Sequence, residues 1–212
     1  MQEATRRANI EPGQVEDVLI GNVLAELGFA KTGRMALNDA GFPVTTTFHT
    51  VNRQCSSSLQ AITHISYSIM AGQIEVGLAG GVESMSRNYG SKGIPQDVST
   101  RLRNSPVKHA RECLMPMGIT SENVAERYGI SRRIQDDYSL ESHRRASQAQ
   151  LTGRFDKEIV PVTYVSVGEE TGNSSTVEIA QDDGIRHGLT LDKLAALKPA
   201  FKANGGSTAG NS

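Results

Sequence analysis

The chain has no tryptophan among its 212 residues, only five tyrosines and five phenylalanines, and just two cysteines. Two cysteines cannot staple a disulfide scaffold, so folding rests on a buried core, which a chain of this length can supply. They also point to a reducing compartment. An excess of one charge is missing too, because 22 basic residues face 23 acidic ones for a formal net charge of -1. Such a balance gives no global field toward nucleic acid or an anionic membrane, and an anionic ligand must be held by local groups. No apolar run approaches the roughly 18 residues of a membrane span, and no targeting signal is readable in the chain. Internal repeats and low-complexity tracts are absent as well.

What is present is an alternation of strand-like and helix-like segments. The first residues read as the end of a helix, a turn at Pro12-Gly13 and a strand over Val15 to Val23. A short helix is expected over residues 33–41, carrying Met35, Leu37 and Ala40 and closed by Gly41. Val44 to Val51 is rich in Val, Thr and Phe and reads as a strand. After Cys55, Leu59, Ile62, Ile65, Ile69 and Met70 recur at helical spacing, with Gly72 as the stop. "EVGLAGG" then reads as a short buried strand, so strand, helix and strand form a βαβ unit with parallel strands.

Beyond about Met85 the chain turns polar and rich in Gly, Pro and Ser, and reads as a long functional loop. Thr120 is placed as the cap of a helix ending at Gly129, and Ser131 as the cap of a second, exposed helix running to about Gly153. Val160 to Val167 and Thr176 to Ala180 read as a β-hairpin around a Gly-Asn-Ser turn, and Leu191 to Leu197 as a last short helix.

The chemistry concentrates at Cys55. A strand ending near Asn52 and a helix starting near Ser56 put its thiol at a helix N-terminus, where unpaired N–H groups and the positive dipole end favour a thiolate. The same N–H groups suit an oxyanion formed by attack on a carbonyl. A small packed residue at a strand–helix junction is the competing reading. The five histidines show no metal-ligand spacing with the cysteines, so no metal site is expected. "GLAGGVESMS" is glycine-rich without the spacing of a phosphate loop, and close backbone packing accounts for it better. Arg132, Arg133, Arg144 and Arg145 read as a solvated helix face.

"VNRQCSSSLQAI" followed by "AGGVESMS" resembles the acyl-enzyme signature of the thiolases. "MGITSENVAERYGISRRIQDDYSLESHRRA", "GRFDKEIVPV", "DDGIRHGLTLDKLAALKPAF" and "GGSTAGNS" resemble further thiolase segments in the family's order. The wording is most similar to the 3-ketoacyl-CoA thiolases of peroxisomal fatty-acid β-oxidation. The resemblance implies an α/β, thiolase-like fold, here an incomplete N-terminal half with an inserted loop domain. Residues 1–88 would be a partial core with the nucleophile, 89–200 a loop domain contacting coenzyme A, and 201–212 the start of a return strand.

By the same resemblance, Cys55 attacks the 3-keto carbon of a 3-ketoacyl-CoA, acetyl-CoA leaves as a carbanion equivalent, and incoming CoA removes the shortened acyl group. Arg186, in the Ile-Arg-His-Gly segment, would stack on the adenine of CoA, and Met117 would line the acyl or pantetheine path. Without the resemblance, Arg186 is an ordinary surface arginine and Met117 a gap-filler. Acyl-CoA and CoA are then substrates, no cofactor is bound permanently, and the family implies a homodimer in peroxisomes. Ser58 departs from the family, which has glycine there. The family's Asn-Glu-Ala-Phe segment, Gly-His-Pro histidine and Cys-x-Gly cysteine do not occur in this chain. Cys113, in "RECLMPMG", does not match that second cysteine. The resemblance thus leaves two expectations: an acyltransferase piece that is inactive alone, or an interaction module without turnover.

Overall fold

The computed structural model describes residues 1–89, 95–167 and 174–212. Contacts divide the chain into two units, Met1–Thr100 and Arg101–Ser212. The first unit opens with α1 (Gln2–Ala8), followed by β1 (Asp17–Gly21), α2 (Ala30–Asp39), β2 (Thr47–Val51), α3 (Ser57–Met70), β3 (Gly77–Gly81) and α4 (Met85–Asn88). The three strands pair in the order β2-β1-β3, all parallel. The expected βαβ arrangement is therefore present. The expected strands are trimmed: β1 starts after a short 3-10 turn over Pro12–Gln14, and β2 starts at Thr47, beyond the turn in which Thr46 N–H donates to Pro43.

β1 carries an unbroken apolar stretch, Val18, Leu19 and Ile20, because a central parallel strand is covered on both faces. Val18 and Ile20 pack with Val15, Leu37 and Phe42, whereas Leu19 faces the opposite side with Ala61 and Ile65 of α3. The burial of α3 differs from the periodicity reading. Its sheet-facing residues are Ser57, Ala61 and Ile65, while Leu59, Ile62, Ile69 and Met70 are exposed. The cause is close approach: a side chain on Gly21 would come within 2.5 Å of the backbone of Ser57 and Ser58. Only small residues let helix and strand meet at that distance. The end of α3 follows the sequence closely, since Gly72 takes a φ of 70°. Its N–H reaches Ile69 at 3.0 Å, and that of Gln73 reaches Ser68 at 2.9 Å.

The stretch read as a loop contains short helices: α4, α5 (Thr100–Arg103) and α6 (Lys108–Glu112). In the second unit α7 (Met117–Tyr128), α8 (Arg132–Leu151), β4 (Val162–Val167), β5 (Ser174–Ile179) and α9 (Leu191–Ala195) follow. α7 starts at Pro116 rather than at a Thr120 cap, since proline at a helix entry surrenders no intrahelical bond. Ser131 does cap α8, accepting from the Ile134 N–H at 3.3 Å. β4 and β5 pair antiparallel. Most of the expected Gly-Asn-Ser turn lies outside the described residues.

Leu194 is the one buried hydrophobic side chain of the second unit among the described residues. Its interior is held instead by satisfied polar groups. Buried Glu122 accepts from the N–H groups of Gly206 and Ser207 at 3.0 and 2.9 Å. Buried Asp136 pairs with Arg132 at 2.8 Å and accepts from Asn211 at 2.8 Å. Ser139 donates to the Gly210 carbonyl at 2.6 Å. Arg132, read as a solvated residue, also donates to the carbonyls of Leu194 and Leu197 and so fastens α9. These bonds pin residues 206–211 to α7 and α8. Residues 201–212 contain no strand, only the isolated bridge from Pro199 to Thr208.

Candidate active site

The parallel register brings Gly21, Val51 and Gly81 side by side at the carboxyl ends of the three strands. In open α/β sheets this is the end at which ligands bind. Cys55 follows β2 there, two residues before the first residue of α3, and is exposed and free. Gln54, just before it, takes a left-handed φ of 51°, which turns the chain sharply from strand into helix.

The Ser57 hydroxyl holds that turn closed, accepting from the Arg53 N–H at 2.8 Å and donating to the Gln54 carbonyl at 2.6 Å. Ser56 precedes the helix but forms no side-chain cap, because its hydroxyl donates back to the Arg53 carbonyl at 3.0 Å. The Ser58 and Leu59 N–H groups, which such a cap would satisfy, are left without it. An exposed thiol beside an uncapped first turn has the parts for nucleophilic attack on a carbonyl and for holding the resulting oxyanion.

Residues that sequence reasoning did not assign build the floor of this turn. Asn22 is buried and donates to the Val82 carbonyl at 2.6 Å. Glu83 accepts the N–H groups of Val23 and Leu24 at 2.9 and 3.2 Å. Asn52 donates to the Val23 carbonyl at 3.2 Å and accepts the Gln54 N–H at 3.0 Å. A connected path thus runs from β3 through Glu83 and Val23 to Asn52 and the residue before Cys55. Asn52 and Glu83 stood inside the quoted motifs, and Asn22 directly follows β1, so polar residues at strand ends were the available signal.

Ser58 finds space over Gly81, where a side chain would collide with its hydroxyl. Glycine at position 81 is what lets a side chain stand at position 58.

Cys55 belongs to the first unit, whereas Met117 and Arg186 belong to the second. Met117 is the first residue of α7 and is 75% exposed. Arg186 is exposed, and its backbone N–H donates to His143 Nδ1 at 3.2 Å. Cys113 is also free and exposed, with its thiol against the His109 carbonyl at 3.3 Å. On α8, Arg144 and Arg145 both grip Glu141 at 2.6 and 2.7 Å. Their guanidinium hydrogen bonds pull its carboxyl from the ordinary 4.5 to about 2. No group of three or more His, Cys, Asp or Glu suited to a metal occurs among the described residues.

The family profile described as "Thiolase, N-terminal domain" matches residues 1–212. The chain is 48% identical over 203 residues to the mouse peroxisomal 3-ketoacyl-CoA thiolase A, covering 96% of this chain and 47% of that protein. It is 46% identical over 212 residues to the human peroxisomal 3-ketoacyl-CoA thiolase, covering 100% of this chain and 49% of that one. Among solved structures, the dimeric peroxisomal thiolase of Saccharomyces cerevisiae superposes with a TM-score of 0.82 at 37% identity, over 98% of this chain and 50% of that chain. The acetyl-CoA acetyltransferase of Bacillus anthracis gives 0.80 at 37% identity, over 100% and 54%. The chain spans about half the length of the curated relatives it matches.

Proposed function

The chain belongs to the thiolase family, and from that premise we propose that it carries the nucleophile of an acyltransferase acting on 3-ketoacyl-CoA. One observation supports this above the others: Cys55 is exposed at the carboxyl ends of the parallel strands, beside an uncapped helix start. In the reaction the Cys55 sulfur bonds to the 3-keto carbon and the bond between C2 and C3 breaks. The electron pair leaves with acetyl-CoA, which takes up a proton. The sulfur of incoming CoA then attacks the acyl-cysteine, releasing the shortened acyl-CoA and restoring the thiol. Arg186 and Met117 are the proposed contacts for the adenine and for the acyl or pantetheine portion. Residues 89–200 are the proposed CoA-contacting domain. Relatives named peroxisomal, and a solved relative described as dimeric, support the same setting and a homodimer here.

The half-reaction is the direct test, because general acid–base groups are each worth about 10²–10⁴ in rate and the family's histidine and second cysteine do not occur in this sequence. The full chain incubated with an acyl-CoA is expected to gain the acyl mass on the Cys55 peptide. Added CoA should remove it, and Cys55→Ala should never acquire it. Equal acylation of Cys113 would defeat the assignment. A second reading, an interaction module that keeps the Cys55 motif without turnover, draws on the exposed apolar residues of α3. It predicts no acyl-cysteine at all.

A further inference from the structure

Arg186 sits in a segment tied to α8 through two histidines that the proposed chemistry does not use. The His143 Nδ1 accepts the backbone N–H of Arg186 at 3.2 Å. The His187 ring lies between two residues of α8, with Nδ1 at 2.7 Å from Ser147 Oγ and Nε2 at 2.8 Å from Gln150 Oε1. Gln150 Nε2 donates to the Asp182 carbonyl at 2.9 Å, which turns the amide oxygen toward His187. His187 Nε2 is therefore the donor, and its Nδ1 accepts from the Ser147 hydroxyl. Three positions of one segment, Asp182, Arg186 and His187, are thus tied to one face of α8, where His143, Ser147 and Gln150 follow at helical spacing. Directly after it, Gly188 turns the chain with a φ of 68°.

We propose that His143 and His187 form a latch that fixes the Asp182–His187 segment on α8 and so positions Arg186 for a nucleotide base. Both act as positioning residues. The functional side of the latch rests on the reading of Arg186 as an adenine contact. A guanidinium stacks on a base only when its plane is brought parallel to it, so a segment free to move would spend part of its binding free energy on becoming ordered.

The test measures the affinity of the full chain for CoA and for 4′-phosphopantetheine, which lacks the adenosine, alongside amide hydrogen exchange at Arg186. His143→Ala, His187→Ala and Ser147→Ala are expected to weaken CoA binding by about three- to tenfold, the worth of one modest hydrogen bond. Binding of 4′-phosphopantetheine should stay unchanged. His143→Gln and His187→Gln retain an acceptor, and in the second case a donor as well, and should restore most of the affinity. Arg186 N–H exchange should accelerate severalfold in His143→Ala and not in His143→Gln. Unchanged exchange at Arg186 in His143→Ala overturns the latch. So does an Arg186→Ala chain that loses CoA affinity while the histidine variants keep it. If Arg186→Ala binds CoA as the parent does, or if the parent does not prefer CoA over 4′-phosphopantetheine, the adenine reading falls, and the exchange rates still decide the latch.

Discussion

Gln54 stands one residue before Cys55, the proposed nucleophile, in a backbone conformation that costs a side-chain-bearing residue about 1 kcal/mol. The turn persists because Ser57 ties both Arg53 and Gln54, and Asn52 takes the Gln54 N–H. Gln54→Gly relieves the conformation while adding freedom to the unfolded chain, so the expected change in stability is within about 1 kcal/mol. Gln54→Val cannot adopt it easily and is expected to destabilise by about 1–3 kcal/mol. Urea denaturation of the two variants checks the ordering. A valine variant as stable as the parent would mean that the turn is not under strain.

At the scale of elements, α8 shows how a helix without an apolar stripe is still held in place. Its inward residues are Asp136 and Ser139, each satisfied by a partner near the end of the chain, and its outward face carries arginine–carboxylate pairs. Glu141 gives this face a defined pH response. Its folded value is depressed to about 2 from 4.5, so its contribution is fully present above about pH 4.5 and is lost as pH falls through about 2. An NMR titration should find the Glu141 carboxyl changing near pH 2 in low salt. In roughly 1 M salt the change should move up toward 4.5, because both arginines are exposed and screened. A midpoint near 4.5 at low salt would show that the pairs do not persist in solution.

For the molecule as a whole, α3 has two faces with different work. The inner one, built of Ser57, Ala61 and Ile65, sets how closely the helix approaches β1 and thereby where Cys55 stands. The outer one presents Leu59, Ile62 and Ile69 at 65%, 49% and 43% exposure, an apolar row one helical face wide. Such rows lower solubility when nothing covers them. The double variant Leu59→Lys, Ile62→Glu should raise the concentration at which the chain begins to scatter light severalfold, leaving the melting transition within about 1 kcal/mol of the parent. A large loss of stability would show that the row is packed rather than exposed.

Local chemistry was legible in the residues alone. Gly72 and Gly129 end helices because only glycine takes a positive φ cheaply, Ser131 caps α8, and the strand–Cys55–helix order follows from β-branched residues giving way to helical spacing. The motif around Cys55 likewise pointed to the thiolase family, whose N-terminal domain profile matches residues 1–212. Which stripe of α3 is buried was not legible, because periodicity reports that apolar rows exist but not which row meets a strand end where Gly21 has no room for a side chain. Nor was the floor of the site, since Asn22 and Val82, or Val23 and Glu83, lie 60 residues apart and meet only through the register of β1 with β3. The same holds for Arg186 and His143, joined across 43 residues. Caps and turns are decided by neighbours in the chain. Long-range hydrogen bonds and the choice of helix face exist only once the strands have paired and the helices have docked.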